Sequence, residues 1–283
     1  MVATLWEREA ENEASSVIKR IKITALPVCP FTIASGEDIL VEPKDSNEPG
    51  VSGFLMRVGN VFGIKYATHL RNEVFIRFSV AHELGHYFLP GHPESLFPNG
   101  DGIHHSRSGF ISSDQYERQA DKFATALLMP KAFFMAALRK AGEGFAAIQA
   151  LAETCRTSIT ATAIRFVEFA ENPVAVILST NTRVEACFLS EELKGIRDLE
   201  WLRKGALIPP RSATAYFNRD PNNVSQGRQT DGSTMLHEWF GSAPQIEMQE
   251  DVVGLGSYGK TLTVLFTNQA IDDEDEDGEF DED

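Results

Sequence analysis

Phe78-Ser-Val-Ala-His-Glu-Leu-Gly-His-Tyr-Phe88 is the stretch on which the rest of this 283-residue sequence depends. It contains His82 and His86 four residues apart, with Glu83 directly after the first histidine. On a helix, side chains at positions i and i+4 lie on one face, so both imidazoles can bind one metal ion. Glu83 then lies beside the metal without ligating it, where its carboxylate can take a proton from water that the metal activates. The stretch therefore predicts a zinc site on a helix.

A pattern this short also occurs by chance, and the alternative interpretation is a helix with two surface histidines. The flanking residues favour a buried helix instead. Gly85 allows another element to pack closely between the two histidines, and Pro90-Gly91 predicts that the helix ends there. Apolar residues recur beside the histidines at helical spacing: Phe78, Ala81, Leu84 and Phe88. A metal gives two buried histidines a function.

A catalytic zinc site also needs a third protein ligand and one open position. Glu117 is our first candidate, because it lies at the edge of the buried face of a second predicted helix. Ser112 and Gln115 form a possible capping box for this helix, and Pro130 ends it. Asp121, one turn after Glu117, can orient a ligating histidine from behind. The predicted buried face consists of Ala120, Phe123, Ala124, Leu127 and Leu128.

Three histidines are alternative third ligands. His92 follows His86 by six residues, as in the HExxHxxGxxH pattern, but that pattern has glycine at the position of Leu89. His104 and His105 lie further along, in a stretch that we interpret as a loop. They can touch the metal, polarise a scissile carbonyl, or simply face solvent.

The stretch from Arg77 to Tyr87, followed by the stretch from Glu117 to Pro130, resembles the ImmA/IrrE family of metallo-endopeptidases. The family pattern is R-F-x-x-A-H-E-L-G-H and then E-x-x-A-[ND]-x-F-A-x-x-L-L-M-P, and the resemblance covers about residues 20–130. It implies zinc held by His82, His86 and Glu117, with Glu83 as general base. It also implies a substrate class, helix-turn-helix transcriptional repressors, which are cut under stress or during mobile-element induction.

The net charge of −15 is concentrated at one end of the chain. Residues 272–283 hold ten acidic side chains and no basic one, so the rest of the chain carries −15 + 10 = −5. This mild acidity argues against a large nucleic-acid surface, and direct DNA binding is not expected. We predict that the acidic tail is disordered, either as a solubilising end or as a mimic that covers a basic surface.

The cysteines and the apolar residues indicate a cytoplasmic protein. Three widely separated cysteines form neither a disulfide framework nor a zinc-ribbon pattern. No apolar run suggests a signal peptide at the start or a membrane span elsewhere. Both observations are consistent with a reducing compartment.

We predict an α+β fold with three folded parts. Residues 1–135 form a minimal zincin-like metallopeptidase domain, with a helix over 1–22, strands at 39–43, 51–58 and 61–67, and the metal-binding helix from Glu73. Residues 90–111 are interpreted as a long loop, typical of a lid. The edge of the sheet, at Gly53–Arg57 or the neighbouring strand, is expected to bind an extended substrate.

Residues 136–172 are predicted to be helical and helix-turn-helix-like, with helices at 148–155 and 158–169 and Ser158 as a cap. The turn between them contains no glycine and the segment has little positive charge, so we favour a structural or substrate-docking role. Residues 173–271 are predicted to form a small α/β domain, and the resemblance suggests a GAF-like sensor domain here.

Two other classes of function remain compatible with the sequence. One is a regulatory module that uses the zinc fold to grip a repressor or promoter DNA without cutting. The other is a zinc hydrolase of a small molecule. The presence of Glu83, which a pure binding module does not need, favours the peptidase.

Overall fold

The computed structural model of the chain describes residues 4–44, 52–68, 72–106 and 114–268. The chain divides into two compact units, the first made of Met1–Gly142 and Gln149–Thr162 and the second of Glu143–Ile148 and Ala163–Asp283. The predicted α+β class is confirmed. The predicted domain boundaries at residues 135 and 172 stay predictions, and the acidic tail at 272–283 lies outside the described residues.

The first helix, the metal-binding helix and the helix that carries Glu117 begin and end close to the positions that the sequence predicts. Asn72 caps the metal-binding helix, because its side-chain oxygen accepts hydrogen bonds from Val74 N and Phe75 N at 3.0 and 3.3 Å. The helices are α1 (Leu5–Arg20), α2 (Pro30–Gly36), α3 (Glu73–Phe88), α4 (His92–Leu96), α5 (Gln115–Leu128) and α6 (Lys131–Ala141). In the described part of the chain, no helix is long and apolar enough to cross a membrane.

Within the described residues, the first unit has one four-stranded sheet with the order β1-β3-β2-β4. Strand β1 runs parallel to β3, whereas β2 runs antiparallel to both β3 and β4. The sheet packs against α3 through the buried side chains of Leu55 and Ile64. Its strands are β1 (Leu40–Lys44), β2 (Gly53–Val58), β3 (Val61–Ala67) and β4 (Gly102–Ser106).

Two sequence-based interpretations of this region are wrong. The stretch 90–111 is not one long loop, because it contains α4 and β4. Strand β2 is not an edge strand, because β3 pairs on one side of it and β4 on the other. Strand β4, which the sequence did not predict, pairs on one side only among the described residues and so lies at that edge of the sheet. Helix α4 and strand β4 have only five residues each, which is too short for periodicity to reveal them.

Helices α3 and α5 pack very closely. A Cβ atom placed on Gly85 would lie 3.1 Å from Ala120 Cα, 3.2 Å from the Ala120 carbonyl oxygen and 3.2 Å from a ring carbon of Phe123. The predicted role of Gly85 in close packing is thus confirmed. The predicted buried face of α5 is also confirmed, since all five of its residues are buried. The cap of α5 is Asp114, whose carboxylate accepts from Tyr116 N at 2.8 Å; Ser112 lies outside the described residues.

Helix α3 is more deeply buried than a single apolar stripe would require. Residues 79–86 are all buried, including both histidines and Glu83, while Phe78 and Phe88 are only partly buried. Arg77 is buried as well, and its guanidinium donates to the backbone oxygens of Val28 at 2.6 Å and Arg156 at 3.3 Å. Polar side chains on the middle of α3 therefore need partners inside the protein.

Two further helices, α7 (Gly144–Cys155) and α8 (Ile159–Phe169), match the predicted pair, and Ser158 caps α8 by accepting from Ala161 N at 3.1 Å. The turn needs no glycine, because Arg156 itself takes a φ of +53°. The Thr157 N–H closes the end of α7 by donating to the Ala152 carbonyl at 3.1 Å, as in a Schellman motif.

The described residues of the second unit include a five-stranded antiparallel sheet with the order β6-β5-β9-β8-β7. Runs of apolar residues predict strands at 174–179, 184–189 and 261–266, and these are confirmed as β5 (Val174–Thr180), β6 (Arg183–Leu189) and β9 (Thr261–Phe266). The polar composition of residues 219–231 predicts one long loop, and this prediction is wrong, because the stretch contains a short helix (Pro221–Ser225) and the start of β7 (Gln229–Met235). Strand β7 escapes recognition because it begins with exposed polar residues at the edge of the sheet.

The strands of this unit are β5 (Val174–Thr180), β6 (Arg183–Leu189), β7 (Gln229–Met235), β8 (Glu247–Gly254) and β9 (Thr261–Phe266). Its short helices are α9 (Glu191–Lys194), α10 (Ala213–Phe217), α11 (Pro221–Ser225) and α12 (Leu236–Phe240), with a 3₁₀ turn at Gly256–Tyr258.

The close contact of α3 with α5 gives the first prediction. Gly85→Val should lower the free energy of unfolding by about 1–3 kcal/mol, because the backbone of Ala120 cannot move aside without separating the helices. Urea unfolding measures the change. Gly36→Val is the matched control at another helical glycine, since a Cβ there meets nothing within 4 Å. Equal stability of the two variants would contradict the prediction.

Candidate metal centre

Three side chains from two helices converge on one point inside the first unit. His82 and His86 lie one turn apart on α3, and Glu117 lies in the first turn of α5. Both histidines are completely buried and Glu117 is 8% exposed. One atom from each of the three side chains lies within 4.8 Å of the other two. The structure thus brings together the two histidines of α3 and the carboxylate that ranked first as third ligand.

The distances among these atoms fit a tetrahedral metal ion. His82 Nε2 is 3.1 Å from His86 Nε2 and 3.4 Å from Glu117 Oε2, and His86 Nε2 is 3.3 Å from Glu117 Oε1. Ligand atoms about 2.0–2.1 Å from a tetrahedral zinc lie about 3.3 Å from one another. The two ring nitrogens therefore have the separation of two zinc ligands, and the Glu117 carboxylate turns one oxygen toward each of them at a similar distance. A cation between the three side chains explains why two ring nitrogens face each other.

Two of the candidate ligands have a further polar partner, His82 on α3 and Glu117 on α5. Asp121 Oδ1 lies 2.8 Å from His82 Nδ1, and His104 Nε2 lies 3.0 Å from Glu117 Oε1. Such contacts fix the orientation of a metal ligand and set how strongly it donates. Asp121 thus occupies the position behind His82 from which a carboxylate can orient the ring.

The electrostatics of the group favour positive charge between the ligands. Burial alone lowers the pKa of His82, but hydrogen bonds to Asp121 and Glu117 outweigh it and raise that pKa to about 10. Burial alone raises the pKa of Glu117, but the hydrogen bonds from His104, His82 and His86 hold it well below its ordinary value. Burial lowers the pKa of His86 to about 3, so this ring is neutral, as a metal ligand must be.

Glu83 is completely buried beside this group, and neither carboxylate oxygen has a hydrogen-bond partner among the described atoms. A buried carboxylate without a hydrogen bond is costly, and natural proteins rarely contain one without a function. Burial raises the pKa of Glu83 to about 7. A base with a pKa near the working pH is the kind that transfers protons efficiently.

The remaining histidines of this region differ in position. His92 lies behind His86, with Nδ1 3.0 Å from His86 Nδ1, and not beside the three converging atoms. His104 on β4 points toward the site, whereas His105, the next residue, contacts the ring of Phe54 at a centroid distance of 4.8 Å. Neighbouring residues of a strand face opposite sides. This alternation would have separated the two histidines, had the sequence identified β4.

A family model, described as Peptidase_M78: IrrE N-terminal-like domain, matches residues 75–166, which include α3, α5 and all three candidate ligands. The chain has an M78 metallopeptidase domain of the ImmA/IrrE family. The resemblance seen in the two sequence stretches is therefore confirmed, and so is the class of enzyme. No curated protein matches the sequence.

One of the solved structures similar to this chain is a Mycobacterium tuberculosis transcriptional regulator. The TM-score is 0.53 at 10% sequence identity, and the alignment covers 93% of this chain and 82% of that chain. At this identity the similarity concerns the fold alone.

The converging ligands give the second prediction. The M78 protein should bind one zinc ion per chain, measured by elemental analysis, and zinc at about 100 times its Kd should add about 2.7 kcal/mol to the free energy of unfolding. Glu117→Ala should remove both effects. Glu94→Ala, which removes an exposed carboxylate of the same unit, is the control. Zinc binding by Glu117→Ala with wild-type affinity would exclude Glu117 as a ligand.

Proposed function

We propose that this M78 protein is a zinc-dependent endopeptidase that cleaves a helix-turn-helix transcriptional repressor and so derepresses genes under stress or during mobile-element induction. The observation that carries the proteolytic part is Glu83, a fully buried carboxylate without a partner beside three converging ligands. The family resemblance supports the repressor as the substrate.

His82, His86 and Glu117 are the residues that would hold the zinc ion, in line with the spacing of their ligand atoms. When bound, zinc supplies Lewis-acid polarisation of a carbonyl group and lowers the pKa of water. Asp121 keeps the ring of His82 in its ligating orientation through the 2.8 Å contact with Nδ1. These four side chains bind and orient, and none of them needs to transfer a proton.

Glu83 is the residue that transfers the proton in this proposal. Its carboxylate takes a proton from the attacking water and returns that proton to the nitrogen of the leaving amine. The two unpartnered oxygens leave one free to accept the proton while the other stays unprotonated. Its burial, which raises the pKa to about 7, makes both directions of transfer accessible near neutral pH.

Strand β4 is the element best placed to hold a polypeptide substrate. Among the described residues it pairs only with β2, so the backbone groups on its other side can bind an added strand. It also carries His104, whose side chain is 20% exposed and touches Glu117. A strand added here would run past the metal ligands, which favours an extended protein substrate over a small molecule.

The second unit is part of the same proposal as a GAF-like sensor domain, which would connect cleavage to a signal. Its antiparallel sheet with short helices is compatible with that role. The helical pair α7 and α8 is proposed to dock the substrate and not to bind DNA, because the residues from 136 to 172 contain few basic side chains.

Removing the carboxylate charge tests the role of Glu83. Glu83→Gln should bind zinc as the wild type does and should lose about 10²–10⁴-fold in cleavage rate, because the amide cannot accept the proton. Cleavage of purified helix-turn-helix repressors from the same organism, followed by gel electrophoresis with and without a chelator, provides the measurement. A regulatory module that only grips its partner would work equally well with glutamine.

A substitution at Gly53 tests the position of Glu83, because Gly53 lies against the Glu83 carboxylate. A Cβ atom on Gly53 would collide with Oε1 of Glu83, so Gly53→Ala should displace the carboxylate. We expect unchanged zinc stoichiometry and a cleavage rate reduced toward that of Glu83→Gln. Gly63→Ala is the control on β3, where the added atom meets only the end of Met56 and a backbone oxygen at 3.2 and 3.7 Å. Full activity of Gly53→Ala would show that Glu83 need not keep this position.

A further inference from the structure

His92 lies behind His86, on the side of the ring that faces away from the other two candidate ligands. After α3 ends at Phe88, Gly91 takes a φ of +80° and the chain turns into α4, which begins with His92. The ring of His92 is 1% exposed. Its Nδ1 lies 3.0 Å from Nδ1 of His86, and its Nε2 lies 3.2 Å from Oε1 of Gln119 on α5. The three side chains form a continuous relay from the buried His86 to the half-buried Gln119.

The proton positions in this relay follow from the site. His86 Nε2 faces His82 and Glu117, so it is the nitrogen that ligates and it carries no proton. A neutral His86 therefore carries its proton on Nδ1 and donates it to His92 Nδ1. His92 must then carry its own proton on Nε2, from which it donates to the carbonyl oxygen of Gln119.

The opposite arrangement would prevent metal binding. If the Gln119 amide turned its NH₂ group toward His92 Nε2, His92 would carry its proton on Nδ1 and donate it to His86. The His86 proton would then sit on Nε2, the nitrogen that faces the other ligands. The direction of the hydrogen bonds therefore decides whether His86 can act as a ligand.

We propose that His92 and Gln119 are positioning residues that hold His86 in the tautomer with a free Nε2. The inference rests on the metal site of the proposed function. Ligating histidines usually donate to a carboxylate or a backbone carbonyl, as His82 does to Asp121. For His86 a neutral imidazole and an amide replace the carboxylate, so the ring is oriented without another negative charge in the site.

Two substitutions of His92 separate this role from simple packing. Asparagine places Oδ1 near the position of Nδ1 and keeps the acceptor, whereas phenylalanine keeps a ring against Tyr116, which His92 contacts at a centroid distance of 4.8 Å. The relay predicts that His92→Phe lowers zinc affinity by about 10–100-fold and that His92→Asn stays close to the wild type. A packing role predicts the reverse order.

A second pair of variants tests the far end of the relay. Gln119→Met removes the acceptor at similar size, and Gln119→Glu keeps it. Zinc affinity should fall in Gln119→Met and be retained in Gln119→Glu. His105→Phe, a histidine on the other face of β4, should leave the affinity unchanged. Competition with a chromophoric chelator measures all five affinities, and the Glu83→Gln background keeps them independent of cleavage.

Nitrogen NMR of the histidine rings in the zinc-loaded protein reads the tautomers directly and does not depend on the folding of any variant. We expect the proton of His86 on Nδ1 and that of His92 on Nε2. A proton on Nδ1 of His92, or tighter zinc binding by His92→Phe than by His92→Asn, would overturn the relay and leave the peptidase proposal intact. A wild-type protein that binds no zinc would overturn both.

Discussion

The contact of α3 with α5 at Gly85 and Ala120 determines where the rest of the site lies. Two histidines on one helix supply only two ligands, and the third must come from a side chain far away in the sequence. Because Gly85 has no side chain, the backbone of α5 approaches within van der Waals contact, and Glu117 comes within 3.4 Å of both imidazoles. A bulkier residue at position 85 would push α5 away from α3, and Glu117 would move away from the two histidines with it.

Once the ligands meet, the chemistry of the site depends on what stands behind each of them. The partner of His82 is the carboxylate of Asp121, while the partner of His86 is the neutral ring of His92. Glu117 accepts from His104 on β4, so the sheet and the helices hold different ligands. A carboxylate behind both rings would have added a further buried negative charge next to Glu83, which is already desolvated. The mixed set keeps the ligands oriented without that cost.

The parts of the site that the sequence revealed are the ones whose pattern is local. His82 and His86 are recognisable because residues at positions i and i+4 of a helix always lie on one face, so their spacing in the sequence already shows that the two rings are neighbours. Glu117 could be named as a candidate from its place on a predicted amphipathic helix, but spacing along the chain cannot show that two helices touch, and the family resemblance supplied that link. Strand β4 could not be recognised at all, because five residues beginning with Gly102 form a strand only through pairing with the distant β2. The interpretation of residues 90–111 as a loop failed for that reason, and the position of His104 was lost with it.

Gly53 and Gly85 each weaken the strand or helix that contains them, and both make room for close packing around the middle of α3. Glycine costs about 1 kcal/mol relative to alanine inside a helix, and it also weakens a strand. Gly85 makes room for the backbone of α5, and Gly53 on β2 makes room for the carboxylate of Glu83. Local sequence preferences alone would place neither glycine there. Both glycines are explained by the same requirement. Helix α3 must be enclosed tightly enough to exclude water from Glu83, and Glu117 of α5 must still reach the two histidines of α3. The unfavourable local choices thus mark the position of the chemistry, as expected where a fold accepts lower stability in order to position a reactive group.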